Sequence, residues 1–117
     1  MIDEYYKQIW ELYEQEMAKR NSDDYEANPE QMRKFINAYG FFSDLVKKNG
    51  GSIEPIRLAP AEVNGGITAY FTVFYLVGEE VARFSEVIKG ASALSIDSLE
   101  DGTVCISFTV PKVFRHK

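Results

Sequence analysis

Apolar residues recur along the chain in two rhythms, the three-to-four spacing of a helix and the alternation of a strand. The clearest alternation runs over residues 67–77, ITAYFTVFYLV, and again over 103–110, TVCISFTV. Both stretches are rich in β-branched and aromatic residues and are bounded by glycine or proline, so both read as strands. In the first, Ile67, Ala69, Phe71, Val73, Tyr75 and Val77 share one face, and Thr68, Tyr70, Thr72, Phe74 and Leu76 share the other. Apolar residues on both faces mean that the strand is covered twice or lends one face to a subunit contact. In the second, Val104, Ile106, Phe108 and Val110 alternate with Cys105, Ser107 and Thr109.

Helical spacing appears three times. Over 2–20, Ile2, Tyr6, Ile9, Tyr13 and Met17 form one stripe, widened by Trp10, with Tyr5 and Leu12 to one side. Over 29–48, Asn28 is a good N-cap, Pro29 suits the first turn and Gln31 completes the spacing of a capping box. Met32, Phe35, Ile36, Tyr39, Phe42 and Val46 form its buried stripe. Gly40 in mid-helix costs about 1 kcal/mol, which points to close approach by another backbone. Asn49-Gly50-Gly51 provides a left-handed exit. Over 79–90, Val81, Phe84, Val87 and Ile88 face inward. Two weaker strands remain, 52–58 and 93–99. Pro55 places the first at a sheet edge, and Asp101-Gly102 is the tight turn between 93–99 and 103–110. Residues 21–24 and 59–66 are loops.

These elements make one α+β domain over residues 1–117, in the order α-α-β-β-α-β-β, around a four-stranded mixed or antiparallel sheet. The connection through the third helix calls for a parallel partner, and apolar content selects 103–110 over 93–99 for that place. The strand order is then 1-2-4-3, with 1-2-3-4 as the alternative. This is a permuted ferredoxin-like plan with an added N-terminal helix, a topological analogy that carries no function. The first helix covers the second sheet face, or lies beside the second helix and leaves that face to another subunit. The second arrangement, an oligomer, is favoured.

Composition narrows the chemistry. The 117 residues hold one cysteine and one histidine, so neither an internal disulfide nor a thiolate-rich metal site is available. His116 lies beside the C-terminus, a poor place for a held imidazole. Ser92, Ser95, Ser98 and Ser107 have no base at a useful spacing, and Cys105 reads as a small buried hydrophobe. Glu62 and Asp97 are the least routine acids, and turn or edge roles account for both. No stretch is long and apolar enough to cross a bilayer. Met1-Ile2-Asp3-Glu4 is not the start of a secretory signal, which leads to an expected cytoplasmic location.

Residues 1–30 carry nine acids against three bases, and the whole chain has a net charge of -5. That balance is unsuited to a phosphate backbone. Tyr70 and Phe74 alternate as base-stacking aromatics would, but the basic and glycine pattern that accompanies them is absent. The C-terminal Lys112, Arg115, His116 and Lys117 read as a solvated basic tail.

The expectation from sequence is a non-enzymatic interaction or accessory domain, self-associating and without cofactor or metal. The alternative is a small-molecule site between the first helix and the sheet, lined by Trp10, Tyr13, Tyr70 and Phe74. Leu76 joins these four as a candidate interface residue.

Overall fold

In a computed structural model, residues 2–19, 25–58, 65–89, 91 and 93–116 are described. The elements are α1 (Ile2–Lys19), β1 (Tyr25–Ala27), α2 (Pro29–Asn49), β2 (Gly51–Ile53), β3 (Arg57–Leu58), β4 (Ile67–Val73), α3 (Gly78–Ala82), α4 (Phe84–Val87), β5 (Ala93–Ser98), β6 (Val104–Val110) and β7 (Phe114–His116). β4 and β6 pair along their whole length, from Ile67↔Val110 to Val73↔Val104. β2 and β3 pair with the other edge of β4, and β5 pairs with β6. The sheet therefore has the expected 1-2-4-3 order, with the first predicted strand broken in two around Pro55.

All of these pairings are antiparallel, which corrects the expected parallel partner. β6 returns from β5 through the Asp101-Gly102 turn and inserts between β4 and β5. β4 and β5, joined by the helical connection, share a direction without touching.

The core lies on one side of the sheet. Ile67, Ala69, Phe71 and Val73 of β4 and Ile106, Phe108 and Val110 of β6 are buried against α2. Phe42 packs 5.6 Å from Phe71 and 5.4 Å from Phe108, and Phe35 packs 5.5 Å from Phe108. Removing each of these rings from water contributes about 1.5–3 kcal/mol. α2 starts as its sequence predicts, with Asn28 Oδ1 accepting from the Glu30 and Gln31 amides. The reciprocal half of the capping box does not form. Gln31 Nε2 instead donates to the Pro111 carbonyl at 2.9 Å, and the Asn28 amide donates to the Val113 carbonyl at 2.7 Å.

α1 lies on α2, not across the second sheet face. Its buried stripe is Tyr5, Ile9, Tyr13 and Met17, one residue per turn, while Tyr6 is 45% exposed. Tyr5 replaces Tyr6 in the predicted stripe because its hydroxyl has partners on α2. It donates to Asp44 Oδ1 at 2.9 Å and accepts from Lys47 Nζ at 2.6 Å. Gly40 serves this contact: a Cβ there would stand 3.1 Å from the Tyr5 ring. The close approach is made by a side chain, not by the backbone expected.

Three further expectations change. β4 ends at Val73, and 74–77 form a connector: the Phe74 amide makes a last rung to the Gly50 carbonyl, in register with Gly51↔Val73, and Asn49 Nδ2 then donates to the Tyr75 carbonyl. The third helix is two short helices meeting at Arg83. Phe84 is turned into the core 5.0 Å from Phe42, while Val81, expected inside, is 43% exposed. Of the expected solvated basic tail, Lys112 and Arg115 are exposed, but the two residues between them are not. After β6 the chain turns at Lys112, with φ 56°, and β7 pairs with β1 as a separate two-stranded ribbon. Val113 and Phe114 are fully buried there. The Val113 and Phe114 amides both donate to the Gly65 carbonyl. Gly65 has φ +58°, and a Cβ at that position would fall 1.8 Å from the Phe114 carbonyl oxygen, so only glycine fits.

Candidate functional site

Strand alternation that buries Ala69 and Phe71 turns Thr68, Tyr70 and Thr72 to the opposite side of the sheet. The register sets Thr109, Ser107 and Cys105 beside them, and Ala93, Ser95 and Asp97 beyond. On this open side the residues of the two central strands are half-buried. Thr68 and Thr109 share a hydroxyl hydrogen bond at 2.8 Å, and Thr72 Oγ1 lies 3.9 Å from Cys105 Sγ. The Arg57 guanidinium lies over the Tyr70 ring, 5.2 Å from its centroid. A cleft of about 420 Å³ runs across this surface, from Glu54 and Pro55 at the β2–β3 break to Asp97 on β5. Its centre is uncharged, and Glu54, Arg57 and Asp97 stand at its margins.

Groups with displaced proton affinities lie elsewhere and hold elements together. Burial raises the Tyr5, Tyr13 and Tyr39 hydroxyls above their ordinary value. The Tyr5 hydroxyl in turn raises Lys47. At Glu80 burial pushes the carboxyl up, but bonds from Asn49 and Lys48 outweigh it and leave the group below the usual glutamate value. The Thr103 hydroxyl and amide lower Asp101 in the β5–β6 turn. Among the described residues no three histidine, cysteine, aspartate or glutamate side chains gather to hold a metal ion. In the cleft, Asp97 accepts from Ser95 at 3.3 Å, an edge-strand role.

The five residues singled out from sequence are not brought together. Trp10 packs between Tyr6 and Tyr13 on α1, and Tyr13 is buried 6.1 Å from Phe114. Neither lines the cleft beside Tyr70, and the hollow of about 390 Å³ between α1 and the sheet edge is walled instead by Tyr5, Gln8 and Leu12 with Ile53 and Pro55. Phe74, 59% exposed, and the half-buried Leu76 belong to the connector 74–77. Glu62 and Ser92 lie outside the described residues.

Sequence reasoning missed a second uncovered region. Tyr75, Val77, Val81, Ile96 and Leu99 are all more than two-fifths exposed. They sit on the connector, on α3 and along β5 and its turn. The signal was present in β5, where ALSIDS alternates too weakly to demand cover. No family model, curated protein or solved structure matches the chain.

Proposed function

We propose that the chain is a non-enzymatic protein-interaction domain that associates with a second copy of itself. The observation that carries this reading is the placement of every helix on one side of the sheet. α1 is committed to α2, so among the described residues nothing covers the open side or the outer edge of β5. An uncharged centre with charge at its margin is the composition of a protein interface. Four strands of up to seven residues offer roughly 400 Å² in projection, less than the roughly 800 Å² per partner of a standard complex. The association is therefore weak and concentration-dependent. Sedimentation equilibrium tests it: the mass should climb from 13.3 kDa toward twice that value. A mass that stays at the single-chain value into the high micromolar range refutes the reading.

The cleft favours a second reading. Its volume of about 420 Å³ suits a small ligand. Arg57 and the Tyr70, Thr72 and Ser107 hydroxyls are donors for an anionic or polyhydroxylated molecule. A ligand-dependent rise in the thermal midpoint of the monomer supports this alternative.

A further inference from the structure

β5 is the outermost strand of the sheet on the β6 side, and five of its six residues are exposed. Its hydrogen-bonding direction follows from the turn. The Leu99 amide donates to the Thr103 carbonyl at 2.8 Å. Odd-numbered residues of β5 therefore bond to β6, and Leu94, Ile96 and Ser98 aim their amides and carbonyls outward. Such an edge accepts another strand unless something blocks it.

We propose that two copies join along β5, antiparallel about a two-fold axis at Ser95, so that one sheet runs through both. This rests on the self-association reading above, but places the contact at the β5 edge instead of the open face, and adds the register. Only registers that oppose even residues to even residues let the outward backbone groups bond. With the axis at Ser95, Leu94 of each copy faces Ile96 of the other on the core side, which covers an isoleucine now 43% exposed. Asp97 then faces Ala93, and the two carboxylates stay apart. With the axis at Ile96, Leu94 would face Ser98 and one of the two apolar pairs would be lost.

Charge along the strand selects the same orientation. Exposed Lys89 precedes β5, and exposed Glu100 and Asp101 follow it. Antiparallel pairing sets the Lys89 end of each copy beside the acidic end of its partner, twice over. Parallel pairing would set acid against acid, so a second copy in antiparallel orientation complements this edge without a further partner.

The test is oxidation of native Ser95→Cys protein carrying Cys105→Ser, alongside sedimentation of charge variants. The two-fold axis brings the new thiols within disulfide range, so a covalent dimer is expected. Lys89→Glu and Glu100→Lys should each weaken the dimer by roughly threefold to tenfold, and the double variant should recover it. Lys89, Ser95 and Glu100 are exposed, so the fold tolerates the changes there. A wild-type dimer that does not cross-link at position 95, or that cross-links instead through Ile96→Cys, overturns this interface and leaves self-association standing. A wild-type chain that stays monomeric overturns both.

Discussion

Replacing Asn49 by alanine is expected to loosen the joint between α2 and the 74–77 connector. Asn49 is the last residue of α2 and only 5% exposed. Its side-chain amide donates to the Tyr75 carbonyl at 3.1 Å and to Glu80 Oε2 at 2.8 Å. Lys48 reaches Glu80 Oε1 at 3.2 Å, but the lysine side chain is 71% exposed and the pair is screened. A hydrogen bond to a charged group contributes about 1.5–3 kcal/mol and a neutral one about 0.5–1.5 kcal/mol. Asn49→Ala should therefore cost about 2–4 kcal/mol at neutral pH. Urea denaturation should show a lower midpoint with an unchanged slope. The sign of the pH effect follows from Glu80. Its folded pKa lies below the ordinary 4.5, so its contribution is present above that pH and lost as pH falls through the folded value. The gap between variant and wild type should accordingly narrow in acid. A loss below about 0.5 kcal/mol, or a gap that ignores pH, would show that Glu80 does not depend on Asn49.

Phe114→Ala should cost about 3–5 kcal/mol, because its ring is fully buried against Tyr13 and Tyr25. Chemical denaturation checks this, and a loss under about 1 kcal/mol would mean that β7 is dispensable. Tyr5, Tyr13 and Tyr39 hold their protons more tightly when folded, so their contribution is complete below the ordinary 10.0 and lost as pH rises through the higher folded values. Denaturation midpoints followed with tyrosinate absorbance from about pH 9 to about pH 12 should fall; midpoints that stay flat would contradict the burial of these hydroxyls.

The parts of the fold legible in the sequence are those fixed by local rhythm. Alternation over 67–73 and 104–110 marked the central pair, and Pro55 marked an edge. Asn28-Pro29 and Asn49-Gly50 marked the ends of α2. What the sequence hid depends on contacts between distant segments. Tyr5 and Tyr6 are chemically alike in the chain, and only Asp44 and Lys47 on α2 decide which of them turns inward. Val113-Phe114 follows a proline among basic residues, and it joins the core because Gly65 and Tyr25 meet it from more than 40 residues away. The residues chosen for the candidate pocket are scattered for a similar reason. Trp10 and Tyr70 both looked available for cover, but Trp10 packs against Tyr6 and Tyr13 of its own helix, and Tyr13 against Phe114 of β7. β5 was read as a strand, while its exposure follows from its place at the sheet edge, with no element beyond it among the described residues.

All of this depends on the open side of the sheet staying uncovered by α1, and Cys105 reports on that side directly. Its thiol lines the cleft beside Thr72 and is the single cysteine of the chain. Alkylation of the native protein, compared with its global unfolding rate, measures access to that surface. Modification much faster than unfolding, at concentrations where the chain is monomeric, is the predicted result. A thiol that reacts only as fast as the protein unfolds would mean that the face is sealed within one chain.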